Sequence, residues 1–150
     1  MKSKTARNIH LILLTFLGLS AIGGGGALII SPSGELLGGL PLSILGNSPF
    51  TNFLIPGIIL FLVLGIFPIF IIWALIKKPV VPLADCFNLF KDMHWAWTFS
   101  IYIAFALIIW IQVENYFIQG VGWLQMFYML YAIPMLIMAL LPQIRNNYKK

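Results

Sequence analysis

The chain has one cysteine, Cys86, along with two histidines and four acidic residues in 150 positions. A single cysteine excludes an intramolecular disulfide and any multi-cysteine metal site. Charged residues make up 9% of the chain, where soluble domains carry about a quarter. The signatures HExxH, GxSxG, Walker A and CxxC are all missing, which removes the usual zinc-hydrolase, serine-hydrolase, nucleotide-binding and dithiol chemistries. Haem held by two histidines would need His10 and His94, and neither sits in an apolar run whose neighbour offers a matching ligand. No cofactor and no metal is expected. Acid–base catalysis needs groups within hydrogen-bond reach of one another, and this sequence offers isolated candidates, so enzyme readings come last.

What the chain does have is apolar length. Apolar residues reach 61% and the mean hydropathy is +0.98. They are gathered into four runs, at residues 9–30, 53–76, 95–113 and 121–141. Each is long enough to cross about 30 Å of hydrocarbon as a helix. The predicted fold class is all-α: a polytopic membrane protein, one domain over residues 1–150, built as a four-transmembrane-helix bundle. The net charge of +5 fits Lys and Arg collecting at cytoplasmic span ends better than nucleic-acid binding, and no nucleic-acid partner is expected.

The segment from Met1 to Asn8 carries Lys2, Lys4 and Arg7 ahead of the first run. That run is too long for a signal-peptide core and no A-x-A site follows it, so it reads as an uncleaved span. Gly23–Gly26 weakens helix propensity while allowing another backbone to approach closely. Residues 31–52 form the one substantial outer connection, punctuated by Pro32, Gly34, Gly38-Gly39, Pro41, Gly46-Asn47 and Pro49, which predicts turns. Leu36, Leu37, Leu40, Leu42, Ile44 and Leu45 make it apolar enough to fold back over the bundle's outer end.

The second run holds Pro56 in its first turn, Gly57 and Gly65 as small contacts, and Pro68 inside, where a kink is expected. Lys77-Lys78-Pro79 closes it. Residues 79–94 form an inner interfacial segment, in which Leu83 to His94 alternates at helical spacing: Asp85, Asn88 and Asp92 on one face, Leu83, Phe87 and Phe90 on another. Cys86 reads as an inert thiol and His94 as an interfacial histidine. In the third run Ala96, Ser100 and Ala104 recur every four residues, a helix-packing stripe. Trp95 and Trp97 mark its inner boundary and Trp110 its outer one. Gly120-Val-Gly122-Trp123 opens the fourth run, which contains Pro134.

All nine Lys and Arg residues fall on one side of this arrangement, while the outer connections hold Glu35 and Glu114. By the positive-inside rule both termini are cytoplasmic. An odd number of spans would break the split.

The run PSGELLGGLPLSILGNSPFTNFLIPG, with the later WAWTFS and WIQVE, resembles a group of small uncharacterised bacterial four-helix integral membrane proteins. The matching residues are Pro32, Gly34, Gly39, Pro41, Ser48, Pro49, Phe50, Asn52, Ile55, Pro56 and Gly57. The resemblance implies the four-span topology and a bacterial cytoplasmic (inner) membrane; it implies no activity.

Two functional readings follow. In the first, the bundle acts without catalysis by binding a partner protein or lipid, the partner being membrane lipid, another membrane protein or a further copy of the chain. In the second, it is a small-ligand binder, carrier or membrane enzyme with an outward-facing pocket near Glu114. An ionisable group at a span end can line a site. Trp110 shares its helix face, Gln112, Asn115 and Trp123 lie nearby in sequence, and the loop with Glu35 could cover the same end. A cationic or hydroxylated ligand would suit that cluster.

Overall fold

The computed structural model describes residues 2–39 and 41–150. Met1 and Leu40, assigned above to the basic N-terminal segment and the apolar loop, lie outside the described residues. Helix α1 (Ser3–Ile30) leads into two 3-10 turns, Glu35–Leu37 and Leu42–Leu45, and then into helix α2 (Leu54–Lys77). A short helix α3 (Pro82–Cys86) precedes α4 (Trp95–Ile118) and α5 (Trp123–Leu140), and α6 (Pro142–Arg145) runs into a final 3-10 turn, Asn146–Tyr148. Four helices, α1, α2, α4 and α5, are long and apolar enough to cross a membrane. Among the described residues there is no strand, only an isolated bridge between Met93 and Lys149.

The helices outrun the apolar runs that announce them. α1 begins at Ser3 and α4 continues to Ile118, because polar residues at a helix end continue the hydrogen-bonded spiral as readily as apolar ones. α4 stops where Gln119 turns left-handed (φ 55°) before Gly120, and α2 stops where Lys78 does so (φ 50°) before Pro79. Pro68 acts through the turn ahead of it. A proline ring clashes with the carbonyl four residues back, and Leu60–Ile66 widens into a π-helical turn just before it, a common way for a helix to absorb such a misfit.

α1 and α2 pack backbone to backbone. A Cβ on Gly25 would fall 2.7 Å from Phe61 N and 2.8 Å from Gly57 O; one on Gly57 would fall 2.7 Å from Leu28 Cβ. Only glycine permits that approach. α4 lies against α2 and α5 and meets α1 where His10 reaches Ser100. Trp97 Nε1 donates to Ala139 O at 2.8 Å, satisfying one of the carbonyls left free at the end of α5. Tyr131 Oη donates to Leu13 O at 2.7 Å, joining α5 to α1. Ala96, Ser100 and Ala104 are all buried within the chain, so the small-residue stripe packs against the molecule's own helices.

The bundle has two unlike ends. At the terminal end, Met93, Trp95, Trp97, Ile144 and Tyr148 are buried together. Here the alternating stretch at residues 83–94 is helical only over Pro82–Cys86. Asn88 breaks the spiral: it is buried, donates from Nδ2 to Met93 O at 2.8 Å, and accepts Phe90 N–H and the Thr98 hydroxyl on Oδ1. An asparagine satisfying its own neighbouring backbone offers the chain an alternative to helix. The opposite end, carrying the 31–53 connection, encloses a cavity.

Candidate functional site: an apolar cavity with one carboxylate

The cavity occupies about 320 Å³ beneath the 31–53 connection, and all four long helices contribute to its wall. Each does so with residues at helical spacing, which places them on one face. α1 supplies Leu17, Ala21, Gly24 and Leu28, and α2 supplies Pro56, Leu60 and Leu64. α4 supplies Leu107, Trp110, Glu114 and Phe117, and α5 supplies Leu124, Gln125 and Tyr128. The connection closes the top. Leu45 and Phe53 pack on Leu28, with Ile44 against them, and Phe53 N donates to Pro32 O at 2.9 Å, tying the two ends of the loop together. Left-handed glycines, Gly34 (φ 81°) and Gly38 (φ 85°), bracket the first 3-10 turn. Asn52 Oδ1 accepts Leu54 N–H at 3.0 Å and starts α2.

Against this hydrocarbon wall stands Glu114, the single carboxylate lining the cavity. Gln125 Nε2 donates to Glu114 Oε2 at 3.4 Å. Gln125 is in the first turn of α5, and its Oε1 lies 2.6 Å from where a Cβ on Gly122 would be. A side chain at Gly122 would have to share that space with the flexible Gln125 amide. Gln125 and the Trp110 indole both bear on the carboxylate, and its remaining lone pairs face the cavity.

Of the six residues singled out in the sequence, the structure brings Glu114 and Trp110 onto the cavity wall. Gln112 is exposed, two residues from both and so on the far side of α4. Trp123 is 80% exposed. Glu35 is exposed in its 3-10 turn and is not part of the wall, since a charge on a glycine-flanked turn stays solvated. Asn115 is half-buried beside the site, with its Oδ1 buried and unpartnered among the described residues. Gln125, Ser20 and Tyr128 are the polar residues that sequence spacing missed. They come from α1 and α5, and their distance to Glu114 depends on how those helices pack, with only the i, i+4 relation of Gly24 to Ser20 visible along the chain.

The two histidines serve structure. His94 precedes α4, where Nδ1 accepts Ala96 N–H at 3.2 Å, so Nε2 carries the proton and donates to Pro79 O at 3.0 Å. His10 is buried with Nε2 3.2 Å from Ser100 Oγ, whose own proton goes to Trp97 O at 2.7 Å. Neither lines the cavity, and no group of three His, Cys, Asp or Glu able to hold a metal occurs among the described residues.

No protein-family model, curated protein or solved structure matches the chain.

Proposed function

We propose that the chain is a multi-pass protein of a bacterial cytoplasmic membrane, with both termini cytoplasmic, that binds a small amphiphile in the loop-covered cavity at its outer end. Membrane insertion is supported by the four long apolar helices and by the apolar side chains they leave facing outward, among them Ile12, Trp73, Ile109 and Leu130. The orientation is supported by the segregation of all nine cationic residues at the terminal end. The bacterial setting rests on the resemblance of the PSGELLGG…LIPG run.

One observation carries the ligand class: a cavity walled mostly by hydrocarbon, in which Glu114 is the charged group among the described lining residues and Gln125, Ser20 and Tyr128 add polar atoms. At a liquid share of about 30 Å³ per water, a volume of about 320 Å³ admits roughly ten non-hydrogen atoms. An apolar body moving from lipid into such a cavity gains little hydrophobic free energy, since both surroundings are apolar. Selection therefore falls to the head group. A carboxylate favours an ammonium or hydroxyl donor, and a charge-assisted hydrogen bond contributes about 1.5–3 kcal/mol. The ligand is a lipophilic amine or alcohol. The partner-protein reading rested on the Ala96/Ser100/Ala104 stripe and on the apolar outer connection; the stripe is buried within the chain, while Leu36 and Leu42 of the connection stay exposed.

The test uses the full chain in a neutral detergent, with n-octylamine, 1-octanol and octanoate as probes followed by native mass spectrometry. Amine and alcohol should bind one to one and octanoate should not. Glu114→Gln should weaken amine binding by about tenfold or more and alcohol binding by less, because the glutamine oxygen still accepts the hydroxyl. A cavity-filling Gly24→Leu should abolish binding of both without loss of fold, because a Cβ there meets only Leu60 Cδ2 at 3.7 Å. Equal binding of the three probes, unaffected by either substitution, would refute the assignment.

A further inference from the structure

The terminal end of the bundle holds a second concave site that owes nothing to Glu114. The first turns of α1, the end of α2 and the C-terminal segment meet there around an open cleft of about 340 Å³, lined by Ser3, Lys4, Arg7, Lys78, Asn147 and Tyr148. Three of the six carry positive charge and none is acidic. Ser3 Oγ holds Asn147 across the two chain ends, at 2.9 Å from Asn147 Nδ2. Lys78 Nζ donates to Asn147 O at 2.6 Å and lies 4.9 Å from the centroid of the Tyr148 ring. Its backbone is left-handed at φ 50°, a conformation that non-glycine residues rarely adopt. That turn points the cation back across the bundle end.

The charge in this cleft is uncompensated. Lys4 and Arg7 have no hydrogen-bond or ion-pair partner among the described residues, where the one salt bridge joins Lys150 to Asp85. All three cations are exposed, so water screens most of their mutual repulsion, but their combined field favours an anion placed among them. A second observation points the same way. Tyr148 is 1% exposed, and its hydroxyl is buried with no hydrogen-bond partner among the described residues. A buried hydroxyl left unpaired is unfavourable, and beside a set of cations it is suited to donate to an anion that they hold. Burial pushes the Tyr148 hydroxyl above the usual tyrosine range, with the Arg7 charge opposing, so it keeps its proton and can only help an anion. The 28-residue α1 also directs its N-terminal end, the positive end of its dipole, toward this cleft.

We propose that the cleft binds a phosphate group, with Arg7, Lys4 and Lys78 meeting its oxygens and the Tyr148 hydroxyl donating to one of them. Guanidinium and ammonium groups set around a single tetrahedral oxyanion make the short, charge-assisted contacts that phosphate recognition requires. The site lies where the terminal ends of α1 and α2 leave their apolar stretches. An anionic phospholipid head group and free phosphate share this chemistry, and basic pockets at helix ends take up such head groups.

The experiment titrates the full-length protein in a neutral detergent with three probes: dioctanoyl phosphatidate, dioctanoylglycerol and inorganic phosphate. Phosphatidate should bind one to one, and dioctanoylglycerol, which lacks the phosphate, should not. Arg7→Gln and Lys78→Gln should each weaken binding about tenfold, and Tyr148→Phe by about threefold to tenfold. Arg145→Gln and Lys77→Gln remove the same charge from exposed positions outside the cleft, and should change binding less than about twofold. Displacement of phosphatidate by millimolar phosphate, with the same residue dependence, would support the site with free phosphate as its ligand. Lack of displacement would support it with the lipid. Equal losses from the cleft and control substitutions, or no saturable binding of either phosphate probe, would overturn the proposal. Arg7 is exposed, so its variant stays informative if Lys78→Gln lowers stability. The Glu114 cavity is untouched by these substitutions, and octylamine binding serves as the independent check on it.

Discussion

Four consecutive glycines, Gly23 to Gly26, look equivalent in the sequence, yet the fold uses them differently. Nothing lies within 4 Å of a Cβ placed on Gly23, whereas one on Gly25 would collide with the backbone of Phe61 and Gly57. Gly23→Ala should therefore stabilise the protein by about 0.5–1 kcal/mol, the helix-propensity difference. Gly25→Ala should destabilise it by about 1–3 kcal/mol, because the obstructing atoms belong to a helix and cannot rotate away. Thermal unfolding of both variants in the same detergent checks the pair, and equal effects would mean α1 and α2 do not cross at Gly25. Glu114 and Trp110 belong to this scale too. Their shared face was legible because it depends on four residues of one helix; the pairing of Glu114 with Gln125 was not, because it joins α4 to α5.

At the scale of elements, the terminal end shows how a short segment is held by its neighbours. The C-terminal residues dock on the 79–94 segment: His94 N donates to Tyr148 O at 2.7 Å, Lys150 N to Asp92 O at 2.9 Å, and Lys150 Nζ to Asp85 Oδ1 at 3.0 Å. The hydrogen bond from Lys150 holds the Asp85 carboxyl below the usual carboxylate range. A depressed folded-state pKa means that the contact contributes fully above the unfolded aspartate value and is lost as pH falls through the folded one. Both side chains are partly exposed, so the effect on global stability is small. The docking itself should respond: amide exchange at Lys150 should quicken as pH drops from neutral to below the folded Asp85 pKa, beyond the intrinsic pH trend. Asp85→Asn should remove that excess. An unchanged excess in the variant would place the pH response elsewhere. The alternation of Leu83 to His94 promised a longer helix than Pro82–Cys86. What cut it short was Asn88, whose bonds to Phe90 and Met93 are local and whose bond to Thr98 forms only once α4 is in place.

For the whole molecule, the division into a packed terminal end and a hollow loop end organises both sites. Orientation in a membrane can be read with the chain's own single thiol. Cys86 is exposed in α3 at the terminal end. A membrane-impermeant maleimide should label it in inverted vesicles and leave it unmodified in intact cells. Labelling in intact cells would reverse the proposed orientation and put the Glu114 cavity on the cytoplasmic side.

Composition and hydropathy by themselves determined that the chain is helical and that four of its helices are long and apolar enough to cross a membrane. These properties follow from local propensity and from apolar length, which are written residue by residue. Tertiary structure decided which of four glycines meets a neighbour, that Ala96, Ser100 and Ala104 face inward, and that Gln125 reaches Glu114 while Gln112, Trp123 and Glu35 do not line the cavity. It also brought Arg7, Lys78 and Tyr148 together from three distant parts of the chain. Those outcomes depend on the rotation and depth at which each helix packs, and a helical pattern fixes a face without naming the neighbour that will cover it.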